Sequence, residues 1–328
     1  MRHTFIIAQQ GDAEKMRVKK VLWLFVIIVV LASAAAQSTD ITLLVASDTH
    51  FTSKSLPAKV KTVIQAMNSH LVGIPYPSEI GGTVDQPIAA IICGDLCDGG
   101  AGISATDTPK SGRRNYQDQW NGFDYYFPKN GVTGDNNRLR FPNYATAGNH
   151  DFYNNFGWAL SGKSWYVANK LVQRYELDCN ITNGNVYYSF DIDGVHFASL
   201  GRYADTYVLT WLSEDLAAVG TETPVVLFLH YAFNDGQSWY TDAERAKLAA
   251  VIRGYRVIAI LHGHTHVSTH YVWQGYDCYD DGSAGKNGDF GVLRITDDTL
   301  TYCQYKAVGD TKGNWKSGSW KWAHKKTF

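Results

Sequence analysis

Residues 41–50 read ITLLVASDTH. Six uncharged, mostly apolar residues match a strand buried on both faces, and the run stops at a carboxylate and an imidazole two positions apart. The same arrangement recurs along the chain. IAAIIC (Ile88–Cys93) leads to Gly94-Asp95-Leu96-Cys97-Asp98, and NYATA (Asn143–Ala147) leads to Gly148-Asn149-His150-Asp151. VVLFL (Val225–Leu229) stops at His230, and VIAIL (Val257–Leu261) runs into His262-Gly263-His264-Thr265-His266. Helix-compatible segments lie between these runs: Ala58–Leu71, Trp165–Tyr175, Leu209–Ala218 and Asp242–Arg253, the last preceded by Thr241 with Glu244 at capping-box spacing. Strands alternating with helices predict an α/β core. In open α/β sheets ligands bind at the carboxyl ends of strands, so the five groups are placed to converge. Two hairpins are expected as well, one around Asp193-Gly194 and one joining Val292–Ile295 to Leu300–Tyr305.

The side chains delivered to that edge are carboxylates, one amide and several imidazoles, without a cysteine cluster. This mixed oxygen and nitrogen set suits Zn, Mn or Fe rather than Ca²⁺ or a thiolate knot. It is too large for one ion, whereas two ions about 3.5–4 Å apart sharing a carboxylate would use it all. Extended backbone would aim Asp48 with His50, and His264 with His266, at one place. Glycine before Asp95, Asn149 and His264 allows close approach of the backbone. His262, His196 and His270 are read as structural.

The ordered set D-x-H, G-D-x-x-D, G-N-H-D, H and G-H-x-H, spanning Ile41 to His266, resembles the calcineurin-like metallophosphoesterase superfamily. The resemblance implies a four-layer α/β/β/α sandwich of two mixed sheets, with two metal ions at the carboxyl edge of the strands. It implies that Asp48, His50 and His266 hold one metal, that Asn149, His230 and His264 hold the other, and that Asp95 bridges them. His150 would stand unligated over the site, stabilising the phosphoryl group or protonating the leaving oxygen, with Asp151 orienting it. The implied reaction is attack on phosphorus by a metal-bound hydroxide. Three departures narrow the branch. Gly99 stands where the protein Ser/Thr phosphatases carry arginine, Asp151 where they carry glutamate, and Asp98 where purple acid phosphatases carry a metal-binding tyrosine. The pattern is closer to the phosphodiesterase-like and acid-phosphatase-like branches, and the missing tyrosine predicts a colourless enzyme.

The rest of the chain bounds the setting. Met16 to Lys20 is basic and precedes VLWLFVIIVVL and ASAAAQ, which reads as a signal peptide over 1–36, or an anchor over 18–36. Residues 1–36 hold five of the 30 Lys/Arg and two of the 31 Asp/Glu, so the body without them carries a net charge of −4. That balance excludes a dedicated nucleic-acid surface and favours small or nucleotide-like phosphoesters. Export permits disulfides among the five cysteines, with Cys278–Cys303 the preferred pair, and gives meaning to the sequon Asn180-Ile181-Thr182. Within the 37–310 body, the 99–141 insertion is polar and turn-rich and reads as a lid, with Arg113 or Arg114 meeting the substrate anion. Tyr231 and Asn234 are further lining candidates. The 311–328 tail, rich in Trp and Lys, offers a membrane or partner contact or a strap packed on the domain. The rival reading is a non-catalytic metal-binding recruitment protein on the same fold, whose mark would be loss of a ligand or of His150. None is lost.

Overall fold

The computed structural model describes residues 38–101, 115–153, 165–178, 181, 185–234 and 241–328. The leader and anchor readings, Arg113 and Arg114, and Cys179, Asn180 and Thr182 of the sequon region lie outside these residues. Among the described residues no helix is long and apolar enough to cross a membrane.

Two six-stranded mixed sheets form the body. The first has β1 (Asp40–Ala46), β2 (Ala89–Cys93), β3 (Asn143–Thr146), β10 (Asp289–Thr296), β11 (Thr299–Gly309) and β12 (Trp315–Thr327), in the order β12-β11-β10-β1-β2-β3. The second has β4 (Tyr188–Ile192), β5 (Val195–Ser199), β6 (Val225–Phe228), β7 (Val257–His262), β8 (Ser268–Trp273) and β9 (Tyr276–Asp281), in the order β4-β5-β6-β7-β9-β8. Strands β1, β2 and β3 are parallel to one another, as are β5, β6 and β7, so each trio delivers its carboxyl ends to one edge.

The alternation of strand side chains sorts the core into three layers. On β1, Ile41, Leu43 and Val45 face the space between the sheets, where they meet Val226 and Phe228 of β6. Leu44 and Ala46 face outward onto Val60, Val63 and Ile64 of α1 (Ala58–Ser69), together with α2 (Tyr116–Tyr126) and α3 (Tyr166–Tyr175). Across the molecule Val225 and Leu227 pack on Val208, Leu212 and Leu216 of α4 (Thr206–Val219) and on Leu248 and Ile252 of α5 (Asp242–Ile252). These are the helix, sheet, sheet and helix layers of the sandwich. Both hairpins form, with Ile192 opposite Val195 and Ile295 opposite Leu300. Thr241 and Glu244 close the capping box at the start of α5.

Two expectations change. Cys278 and Cys303 are buried free thiols on different sheets, so the preferred pair does not form. The described part of the 99–141 insertion is not turn-rich throughout. It carries α2, whose Trp120 and Phe123, with Phe127, are buried against the first sheet's outer layer. The 311–328 tail follows the strap reading, as the edge strand of the first sheet paired with β11 from Thr299–Thr327 to Gly309–Trp315.

Candidate metal centre

The loops leaving β1 and β2 run side by side, with Asp48 N donating to Gly94 O and His50 N to Asp95 O, each at 3.0 Å. The ligand-bearing positions are not extended. Asp48, His50, Asp95, His264 and His266 have φ between 47° and 74°, the left-handed region that non-glycine residues rarely adopt. They make up five of the eight such non-glycine residues described. The expected two-residue alternation is thus replaced by tight turns, held by the surrounding bonds, and such strain collects at functional sites. Close approach explains two glycines. A Cβ on Gly148 would overlap the Asp95 carboxylate and amide, and one on Gly263 would overlap Ser47 Oγ and the Asp48 carboxylate.

The structure brings seven predicted side chains together in two adjoining groups. In the first, His266 Nε2 lies 3.1 Å from Asp48 Oδ1 and 3.2 Å from His50 Nε2, and His50 Nε2 lies 3.5 Å from Asp48 Oδ1. In the second, His230 Nε2 lies 3.2 Å from Asp95 Oδ2 and 3.0 Å from Asn149 Oδ1, with His264 in the same group. Asp95 Oδ2 is also 3.7 Å from His50 Nε2, which puts this carboxylate between the groups. Four ligands at 2.0–2.1 Å in a tetrahedron stand about 3.3 Å from one another, so the observed separations fit ions of that bond length.

Burial sets the electrostatics. It works against ionised Asp48, yet hydrogen bonds with His266 and His50 hold that carboxyl well below the usual range. Asp95 is likewise lowered despite burial, by the nearby charge of His230 and His150. Burial also opposes protonation of His230, but Asp95 beside it raises its pKa to about 9. His264 is lowered to about 4 by burial and then by His230. The carboxylates therefore demand positive charge, which protons or bound cations can supply.

Support comes from behind the ligands. His230 Nδ1 faces Cys93 O at 2.8 Å, which directs Nε2 into the site. Thr265 Oγ1 donates to Asp280 at 2.5 Å, and Asn287 Nδ2 donates to His266 O at 2.7 Å, fixing the turn between His264 and His266. His262 is buried one step back, with Tyr271 OH at 2.8 Å from its Nε2.

Asp151 is a correction. Its carboxylate points away from His150 and accepts from Gly148 N (2.8 Å), Cys97 N (3.0 Å) and Leu96 N (3.2 Å), tying the β2 loop to the β3 loop. The short turn His150–Phe152 sends neighbouring side chains in different directions, burying Asp151 and Phe152 and leaving His150 partly exposed. Burial, then the charge of Asp95, pushes its pKa up to about 7. The group that holds His150 is Asp98. Its carbonyl oxygen is 2.9 Å from His150 Nδ1, and its Oδ1 is 3.6 Å from that atom and 3.4 Å from His50 Nδ1. Gln119 of α2 anchors this loop by accepting from Asp98 N (3.1 Å) and Gly99 N (2.9 Å). The second aspartate of G-D-x-x-D was the available signal for Asp98, and nothing local marked Gln119. Tyr231 is buried with its ring 4.7 Å from that of His264, whereas Asn234 is exposed.

Purple acid phosphatase 23 of Arabidopsis thaliana is 38% identical over 94 residues, which is 26% of this chain and 20% of that protein. The chain thus spans only a fraction of that relative's length. Among solved structures, PhoD superposes with a TM-score of 0.55 at 12% identity, covering 90% of this chain and 71% of the other. The purple acid phosphatase PPD1 from yellow lupin (Lupinus luteus) seeds gives 0.51 at 14%, covering 86% and 54%. The sequence profile of calcineurin-like phosphoesterase matches residues 41–268, well over half of the chain. The chain belongs to the calcineurin-like phosphoesterase family.

Proposed function

We propose that this chain is an exported dinuclear-metal phosphoesterase acting on small or nucleotide-like phosphomonoesters or phosphodiesters. Asp48, His50 and His266 would hold one ion, Asn149, His230 and His264 the other, and Asp95 both. The observation that carries the reading is the pair of adjoining donor groups at ligand-polyhedron spacing with one carboxylate between them. Donors of this kind suit Zn, Mn or Fe. Such a pair supplies Lewis acidity toward phosphoryl oxygens and acidifies water.

The protein's own residues position and protonate. Asp98 O can only accept, so His150 Nδ1 carries the hydrogen, leaving Nε2 as the ring nitrogen for substrate. When protonated, Nε2–H donates to the phosphoryl or leaving oxygen, a role worth about 10²–10⁴ in rate. Tyr231, beside His264, lines the same cluster. The leader over 1–36 carries the proposal of export, with anchoring over 18–36 as its alternative.

The test is hydrolysis of a chromogenic phosphomonoester and its matching diester, with metal content measured on the same preparation. Wild type should bind about two metals per chain and turn over. Asp95→Asn should lose metal and activity together, whereas His150→Ala should keep metal and lose about 10²-fold or more in kcat. Bound metal without cleavage of either ester would favour the recruitment reading. Folded protein that takes up no metal would overturn the proposal.

A further inference from the structure

The loop between β9 and β10 crosses from one sheet to the other and backs the Asp48 turn. Ser283 Oγ and Gly285 N both donate to Asp48 O at 3.0 Å, and Ala284 N donates to Ser47 O at 2.9 Å. Asp281 and Asp289 bracket this loop, and both are buried, as is Gln304 opposite them on β11. Each has one satisfied side. Asp281 Oδ1 accepts from Tyr302 OH at 2.5 Å, Asp289 Oδ2 from Lys321 Nζ at 2.9 Å, and Gln304 Nε2 donates to Asp281 O at 2.9 Å. The remaining atoms, Asp281 Oδ2, Asp289 Oδ1 and Gln304 Oε1, are buried without a hydrogen-bond partner. Among the described residues, these three are the only buried side-chain atoms without a partner that are purely acceptors.

All three residues sit where β9, β10 and β11 meet. Asp289 and Gly291 are two apart on β10 and therefore on one face, and Gly291 pairs directly with Gln304. A Cβ on Gly291 would overlap the Tyr302 hydroxyl and lie 2.9 Å from Asp281 Oδ1, and one on Gly282 would lie 2.9 Å from Asp289 Oδ2. The two glycines make room for the Tyr302 hydroxyl and the Asp289 side chain. Burial holds the Asp281 carboxyl well above the usual carboxylate range, so this set of oxygens is short of positive charge, which a proton or a bound cation can supply. A single proton answers two of the three acceptors at most, whereas a cation answers all three. Oxygen donors without nitrogen or sulfur select a hard cation, and Ca²⁺, which takes about six to eight oxygens in flexible geometry, accepts an irregular set completed by water more readily than Mg²⁺, which demands an octahedron.

We propose that Asp281, Asp289 and Gln304 form a third cation site, of the Ca²⁺ class, which clamps β9 to β10 and sets the loop behind Asp48. The test is equilibrium binding of radioactive Ca²⁺ to the full chain with excess Zn²⁺ present, alongside its melting temperature. The expected result is about one Ca²⁺ per chain with a Ca²⁺-dependent rise in Tm, matching the single-ion site described. His264→Ala should retain this Ca²⁺, and Asp281→Asn with Asp289→Asn should lose it. If that double variant does not fold, Gln304→Met removes one donor at similar volume and should weaken Ca²⁺ binding by about tenfold, the scale of a perturbed metal shell. No Ca²⁺ bound to folded wild type, preference for Mg²⁺, or undiminished binding in Gln304→Met would overturn the site, leaving a proton or water as the occupant.

Discussion

Asp98 occupies the position where purple acid phosphatases place a metal-binding tyrosine, and its carboxylate lies between the Nδ1 atoms of His50 and His150. A carboxylate behind an imidazole fixes its tautomer and orientation and raises its basicity. Asp98→Asn keeps the shape and removes the charge, so kcat/KM should fall about 10–100-fold while the fold persists. The readout that separates orientation from collapse is metal stoichiometry, which should stay near the wild-type value as circular dichroism is unchanged. With no phenolate at this position, iron-loaded protein should also lack a visible charge-transfer band, and a purple preparation would sink that expectation. The identities of the seven clustered side chains were legible in sequence because each follows a buried apolar run. Their left-handed backbone was not, because positive φ at Asp or His leaves no mark in composition. The misassignment of Asp151 has the same origin, since a four-residue motif does not say which side chain a tight turn sends inward.

Elements were legible where one periodicity dominated. The parallel strands read as apolar runs, and α5 announced itself through Thr241 and Glu244. Helix α2 did not, because YQDQWNGFDYY mixes aromatics of weak helix propensity with a central Gly122. That glycine is explained by tertiary packing, since a Cβ there would overlap Ser53 O in the loop beyond His50. The hairpin of β4 and β5 yields a prediction of its own. His196 Nδ1 is 2.7 Å from Asp191 Oδ1 on β4, and Nε2 is 2.8 Å from Asp215 Oδ2 on α4. Burial works against the charged ring, but these two carboxylates raise its pKa. The folded pKa exceeds the unfolded value of about 6.5, so the stabilisation is complete below that pH and disappears as pH rises through the folded value. Asp191 is largely exposed, so the pairing is worth about 1 kcal/mol. Urea unfolding should show His196→Gln less stable than wild type by that amount at pH 5.5, with the gap closing by pH 9. A gap independent of pH would mean that the ring acts through packing alone.

At the scale of the molecule, β12 decides whether the C-terminal residues can be treated as an appendage. The charges and tryptophans of WKSGSWKWAHKKT suggest a surface tail, yet the strand pairs with β11 along its length and reaches the other sheet. Trp322 Nε1 donates to Ser268 Oγ of β8 at 3.2 Å, and Lys326 Nζ donates to Asp277 of β9 at 2.6 Å. His324 stacks on His270 with ring centroids 3.9 Å apart. The strand thus closes the open side where the two sheets meet, and its lysines also discourage pairing of this long edge with another chain. Lys321 matters most, because it is the cation paired with buried Asp289. Removing one partner of a buried pair costs about 3–5 kcal/mol, and the partial exposure of Lys321 puts it near the lower end. Lys321→Met should therefore lower stability by about 3 kcal/mol in urea unfolding, and added Ca²⁺ should recover part of that loss if the third cation site is real. Deleting 311–328 removes this contact together with the whole β11 ladder, so the truncated chain should fail to yield soluble folded protein. A truncated chain that stays monomeric, melts near the wild type and hydrolyses a small ester would show that β12 is an accessory strand, freeing the C-terminal segment to engage a partner.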